Sequence, residues 1–272
     1  MKIAMVILAV SALLLLLYAL AVRGRKGHAG LAALRGWNYA HRGLHDETQP
    51  ENSMAAFRAA LEKGYGMELD VHLLADGQLA VIHDSTLLRT TGAEGRIEDL
   101  TEQQLSDYRL EGTEETIPSF RKLLELVAGK VPLIVELKPV GNNHAQLCRT
   151  ACDMLDNYPG VYCVESFDPR CIHWLKKNRP QVIRGQLAEN FLSVKNHPVP
   201  YLLRLVMTIQ LPNFLTLPDF VAYKYKDRKN LGNFLARKLW GVQGVSWTLK
   251  TPQEHETAVK EGWIPIFEDY TP

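Results

Sequence analysis

The chain has 272 residues, 46% of them hydrophobic and 22% charged, with 31 basic side chains against 30 acidic ones. That balance offers no basic face, so nucleic acid is not an expected partner. The four cysteines (Cys148, Cys152, Cys163, Cys171) lack the paired spacing of a zinc site and read as buried, reduced thiols.

From Ile3 to Val22 no residue is charged, and only Ser11 and Tyr18 are polar. A helix needs roughly 20 such residues to cross a hydrocarbon core of about 30 Å. A buried core helix would show a polar stripe, and this run has none. The "ALA" at 19–21 resembles a signal cleavage site, but the long apolar run and the basic cluster Arg23, Arg25, Lys26 argue for an uncleaved anchor over residues 1–22. Lys2 stands alone on one side, against that cluster and Arg35 on the other. The positive-inside bias then predicts a single-pass membrane protein with its body in the cytoplasm. Residues 23–35, with glycines at 24, 27 and 30, read as a short linker. Residues 36–272 have the length of one large α/β domain or two small ones.

Strand-like and helix-like stretches alternate from there. Strands are expected at 37–41, 67–71, 79–83, 132–137, 161–166, 182–187, 220–223, 244–248 and 264–268. Asn52 or Ser53 should cap a helix that shows Phe57, Ala60 and Leu61 on one face and closes at Gly64. A second helix should follow Pro118, with Leu123, Leu124 and Val127 on one side. Such alternation predicts a parallel sheet covered by helices. Neither GxGxxG nor GxxxxGK[ST] occurs, which favours a closed TIM-type (β/α)8 barrel over an open doubly wound sheet. One connection is too short for a crossover: between "MELDV" and "LAVIH" lies Asp76-Gly77, a tight-turn dipeptide. With those two residues as the loop, Ala75 faces Gln78 and Asp70 falls opposite His83.

Glu68 and Asp70 are two apart in a strand, so they share a face, and Met67, Leu69 and Val71 share the other. Helices outside a barrel want the hydrocarbon face, which turns both carboxylates inward. Two inward carboxylates repel unless a cation or protons sit between them, and a hard divalent ion with oxygen ligands suits that need. "PLIVELKP" repeats the pattern with Glu136 and Lys138, either as a third acid beside a positive group or as an internal salt bridge. His41 and His83 end strands, where barrel enzymes keep their working groups, and histidine moves protons near neutral pH. Alone, each is more often a structural residue. Arg42 offers a planar fork for phosphate or carboxylate. His45 lacks such support, and His72 is a candidate to stand behind the site.

Taken together, "HRG" (41–43), "PENS" (50–53), "ELDV" (68–71), "DG" (76–77), "HD" (83–84) and "ELK" (136–138) resemble the signature of the glycerophosphodiester phosphodiesterases. "IPSF" (117–120), "SFD" (166–168) and "WT" (247–248) agree with it, in the family's order. The resemblance implies a TIM-type barrel, a bound divalent cation and hydrolysis of a glycerophosphodiester to glycerol phosphate and an alcohol. Carried over, His41 and His83 match the acid–base pair, Glu68, Asp70 and Glu136 the metal ligands, and Arg42 and Lys138 the phosphate contacts. Glu51 and Asn52 match a supporting motif, and Trp247 an aromatic near the substrate. An all-carboxylate set favours Ca2+ or Mg2+ over zinc. The family's usual Thr-Asp pair after the last strand is replaced here by "FEDYTP" (267–272), and 191–220 carries no recognisable motif.

Two alternative activities are a phosphoinositide-type phospholipase C-like lyase and a lysophospholipase D-type reaction on lipid-like substrates. The tract "YLLRLVMTIQLPNFLTL" (201–217) is cut by prolines into pieces too short to span a bilayer. It reads as a helix packed on the barrel or as an apolar lip resting on the membrane.

Overall fold

Eight parallel strands close on themselves in a computed structural model that describes residues 1–193 and 199–272. After helix α1 (Lys2–Ala21), the chain runs through β1 (Tyr39–Ala40), α2 (Met54–Glu62), β2 (Gly66–Leu73), β3 (Leu79–Val81) and a short α3 (Leu88–Thr91). Then come α4 (Phe120–Val127), β4 (Leu133–Leu137), α5 (His144–Leu155), β5 (Tyr162–Ser166), α6 (Pro169–Asn178) and β6 (Arg184–Ala188). The last third holds α7 (Tyr201–Thr208), α8 (Asn213–Thr216), β7 (Phe220–Lys224), α9 (Leu231–Phe234), β8 (Gln243–Leu249), α10 (Pro252–Lys260) and β9 (Trp263–Phe267). β1 pairs in parallel with both β2 and β9 and so seals the barrel, as the alternating pattern predicts. Residues 194–198, inside the motif-less stretch 191–220, lie outside the described residues.

Strand faces follow the sequence alternation. Met67, Leu69, Val71, Leu133, Val135 and Leu137 point outward into a layer shared with Phe57, Phe120 and Leu123 from the helices. Tyr39, Ile134, Cys163, Phe220, Val245 and Ile264 fill the barrel interior. Two residues beyond Ile134 and Cys163, on the same inward face, stand Glu136 and Glu165. Hydrocarbon thus plugs the floor and acids line the upper end of the strands. Ser53 is the cap of α2, its hydroxyl accepting from Ala56 N–H at 3.1 Å, a contact worth about 1 kcal/mol. Asn52 is freed for another task. All four cysteines are buried and unpaired.

The β2–β3 hairpin differs from expectation by one residue. Leu74 N–H donates to Gln78 O at 2.9 Å, so Ala75, Asp76 and Gly77 form a three-residue loop with Gly77 at φ +80°. A glycine in the left-handed region at the third position is what that longer turn requires. Val71 therefore pairs with Val81, and Ile82 rather than His83 lies opposite Asp70. β2 is long: its first residues pair with β4 inside the barrel, and its last three carry β3 above the rim. His83 leaves β3 over the barrel mouth.

α1 is mostly exposed, so it is not a core helix, and it is long and apolar enough to cross a membrane. Its end is held against the barrel. Tyr18 Oη donates to Ile209 O at 3.0 Å, and Trp240 Nε1 donates to Ala19 O at 2.6 Å. Within 23–35, Arg25 pairs with Asp219 at 2.5 Å, and Leu34 is buried under the barrel floor.

Candidate active site

The upper end of the barrel gathers Glu68 and Asp70 from β2 with Glu136 from β4. All three are buried, and one carboxylate oxygen of each lies within 4.8 Å of the others. Adjacent parallel strands in register cause this: Asp70 sits beside Glu136. Lys138 Nζ bridges them, 3.1 Å from Asp70 and 2.8 Å from Glu136. The three acids differ in environment. Burial works to raise Asp70, but Lys138, His83, Arg42 and the Asn52 amide overcome it and hold its carboxyl well below the usual range. Glu68 is pushed well above that range by burial and then by Asp70, Glu136 and Glu165. Glu136 is pushed up to about 7, mainly by burial, against the pull of Lys138. Without added positive charge these carboxylates cannot all ionise together.

His41 and Arg42 follow β1 directly. His41 Nε2 lies 3.9 Å from Glu68, and its Nδ1 lies 3.5 Å from Glu268, the first residue after β9. Burial lowers the His41 pKa, and Glu268 opposes that shift. Arg42 donates its backbone N–H to Glu68 at 3.0 Å, reaches Glu51 through Nη1 at 3.0 Å, and lies 3.4 Å from Asp70 through Nε. Asn52, at φ +56°, donates its amide to Asp70 at 2.9 Å. Glu51 and Asn52 therefore brace Arg42 and Asp70 from behind.

His83 stands on the far side of the same cavity. Its Nδ1 is 2.6 Å from Asp84, and its pKa is lowered by burial, with Asp70 opposing. Asp84 accepts from Arg89 of α3, and Arg89 also grips Glu51 at 2.6 Å. A continuous chain of charged contacts thus runs His83–Asp84–Arg89–Glu51–Arg42. His72 hydrogen-bonds Glu98 through Nδ1 at 2.7 Å and meets the His83 carbonyl at 3.1 Å through Nε2. It stands behind the site, as its position suggests.

Between these groups lies a cavity of about 410 Å³ that His41, Arg42, Glu68, His83, Glu136, Lys138 and Trp247 all reach. Trp247 packs edge-on against Phe167 at 5.6 Å, and its buried Nε1–H has no partner among the described residues. Sequence reasoning missed several members. Glu165 lines the cavity, is buried beside Glu136, and has one oxygen unpartnered. Glu189 and Lys224 pair at 2.6 Å on the rim, Arg89 holds Asp84, the partner of His83, and Glu268 lies beside His41. Alternation marks Glu165 as inward alongside Cys163, and Glu268 falls in the "FEDYTP" stretch that stands where the resemblance expects a Thr-Asp pair. Nothing in sequence spacing marks Arg89. His45 also contacts Glu268, at 3.2 Å. A larger hollow of about 880 Å³ beside Trp37, His255 and Trp263 contains none of the expected site residues.

Four buried acids (Glu68, Asp70, Glu136, Glu165) thus outnumber the two cations (Arg42, Lys138) here, which leaves room for further positive charge. The pocket nonetheless presents cationic groups to an anion entering from above. That mixture suits a phosphate ester held beside a divalent cation better than a neutral ligand.

Comparison with known proteins gives the family. A "Glycerophosphodiester phosphodiesterase" of Bacillus altitudinis is 42% identical over 108 residues, 37% of this chain and 43% of that protein. The chain thus aligns with less than half the length of that relative. Rattus norvegicus "Glycerophosphodiester phosphodiesterase 1" is 29% identical over 252 residues, 79% of this chain and 72% of the rat protein. The fold matches an Oleispira antarctica phosphodiesterase solved in complex with the product sn-glycerol-3-phosphate, with a TM-score of 0.71 at 21% identity, over 88% of this chain and 95% of that one. The model of the glycerophosphoryl diester phosphodiesterase family matches residues 41–271, so the chain belongs to that family of enzymes.

Proposed function

We propose that the protein hydrolyses glycerophosphodiesters to glycerol phosphate and an alcohol, using His41 and His83 as its proton carriers and a divalent cation held by Glu68, Asp70 and Glu136. The observation that carries this reading is the convergence of three buried carboxylates, each with an oxygen within 4.8 Å of the others, under a cavity flanked by both imidazoles. The donor set suits Ca2+ or Mg2+, because all three groups are hard oxygen ligands. Glu68 and Glu136, both held above their usual pKa, are the groups a cation would return to their anionic form. A bound cation would supply Lewis-acid neutralisation of charge on a non-bridging phosphate oxygen.

The chain's own groups do the rest. Arg42 and Lys138 bind the phosphate and stabilise charge as phosphorus becomes five-coordinate. Lowered histidine pKa values keep a neutral imidazole available to take a proton from the nucleophile. The other imidazole gives one to the leaving alkoxide. Trp247, with its free indole N–H, closes the cavity over the glycerol or the alcohol. Glu51 and Asn52 hold Arg42 and Asp70 in place. The test is product analysis on glycerophosphocholine by phosphorus NMR. Glycerol phosphate should form with the wild-type protein, and a cyclic phosphate persisting as sole product would point to the lyase instead.

A second reading concerns the glycerol side of the ester. A hollow of about 710 Å³ lined by Pro169, Phe191, Leu203 and Met207 shares Phe167 and Glu189 with the site cavity. It gives room for an acyl chain carried on the glycerol, and so for a lysophospholipase D-type reaction that leaves the chain on the glycerol phosphate and releases the headgroup alcohol. Lysophosphatidylcholine in the same NMR assay decides this. Residues 1–22 are read as a single-pass anchor, 23–35 as the connection and 36–272 as the catalytic domain, with the body cytoplasmic by the charge of Arg23, Arg25 and Lys26. A C-terminal reporter active only outside the cytoplasm would overturn that orientation.

A further inference from the structure

After α1, eleven large hydrophobic side chains are exposed among the described residues. Eight of them fall on α7, α8 and the segment 231–239, the elements that bracket the end of α1. Leu202 (70% exposed), Phe234 (60%), Leu239 and Leu231 are the most exposed aliphatic or phenyl groups of this set, with Phe214 close behind. A scatter of single surface apolar residues needs no explanation, but a concentration on one face does.

The end of α1 lies in the middle of this face. Tyr18 donates to Ile209 O, just after α7, and a side chain at Gly232 of α9 would strike the Tyr18 hydroxyl at 2.9 Å. Trp240, at the end of 231–239, holds the Ala19 carbonyl. Helix length then fixes where a bilayer must end. Twenty residues at 1.5 Å each give about 30 Å, the full thickness of a hydrocarbon core. No residue of α1 is spare, so the bilayer surface must pass close to Tyr18–Ala21. Leu231 and Phe234 lie on either side of Gly232, which abuts Tyr18, and Phe214 is carried by α8, which touches α1. Tyr18 and Trp240 are the residue types that settle at a membrane–water boundary. Arg23 and Lys26 just after α1, Lys229 just before the segment 231–239 and Lys238 within it are exposed, and Lys26 lies 5.4 Å from the Trp240 ring.

We propose that α7, α8 and the segment 231–239 form a collar around the root of α1 that seats the barrel directly on the bilayer, the apolar side chains entering the headgroup–acyl boundary and the lysines meeting anionic headgroups. This rests on α1 being a membrane span. The barrel then does not sway on a tether; it has one fixed attitude to the lipid surface.

The test uses the full-length protein in vesicles of zwitterionic and anionic phospholipid with brominated acyl chains. A fluorophore is placed through Phe234→Cys, Leu202→Cys, Val10→Cys or Glu125→Cys, the native cysteines being buried. Bromolipid should quench the label at 234 and 202 several-fold more than at 125, which lies on α4 away from α1. Quenching at 10 with position 234 matching 125 overturns the collar while leaving the anchor standing. Quenching at none of the positions overturns the span and the collar together. Self-quenching between labelled copies at 234, without an effect of bromolipid, gives the face to a second copy and overturns the seating.

Discussion

Glu136→Gln is the substitution whose outcome differs most between a cation site and an ordinary internal salt bridge. The Glu136 carboxyl is pushed from 4.5 up to about 7 by burial, despite Lys138 at 2.8 Å. A raised carboxyl pKa means the folded state holds the proton more tightly than the unfolded one. Its stabilisation is full below about pH 4.5 and is lost as pH rises through about 7. Above that, the cation-free folded protein carries a penalty of about 3 kcal/mol at roughly 1.4 kcal/mol per unit. Glutamine keeps the shape and an acceptor oxygen for Lys138, which also stays paired with Asp70 at 3.1 Å, but it cannot ionise. In chelator at pH 8 the variant should therefore melt higher than wild type, by up to about 6–12 °C at roughly 2–4 °C per kcal/mol. At pH 5 the two should melt together. Saturating Ca2+ should then stabilise wild type more than the variant. Circular-dichroism melts of the full chain in detergent give all three comparisons. A variant equally destabilised at pH 5 and pH 8 would mean Glu136 serves as a plain salt-bridge partner, and the reasoning would be refuted.

His41→Ala and His83→Ala should each slow turnover by roughly 10²–10⁴-fold, and wild-type kcat in either removes that residue from proton transfer. Arg89→Met unlinks Asp84 from Glu51 and should cost about 10–100-fold in kcat, equivalent to a lost charge-assisted contact of roughly 1.5–3 kcal/mol; an unchanged rate would show that His83 and Arg42 are held without it. Glu268→Gln removes the group that opposes the burial shift on His41. The limb of the pH–rate profile that reports His41 should then move to lower pH, and an unmoved limb would place Glu268 outside its control.

Much of this was readable because the barrel imposes period two on its strands. "MELDV" and "PLIVEL" each carry hydrocarbon on one face and acid on the other, and closure into a barrel leaves the acid one direction to point. The nine expected strands all appear, most within two residues of their expected ends. The hairpin register escaped because a dipeptide such as Asp-Gly also suits the last two positions of a three-residue loop. Ser53 rather than Asn52 caps α2, since the left-handed backbone at Asn52 turns its amide inward to Asp70. Glu165 was overlooked because one acid in "VYCVES" has no partner until β5 is set in register with β4. Arg89 is a tertiary fact: Glu51 and Asp84 are 33 residues apart and only the fold brings them to one guanidinium.

The central claim, that three carboxylates and two imidazoles form one cation-dependent phosphodiester site, is tested most directly by turnover with and without divalent metal. Full-length protein stripped with chelator should leave glycerophosphocholine intact in phosphorus NMR, and added Ca2+ or Mg2+ should restore release of glycerol phosphate. Undiminished release in excess chelator would contradict it.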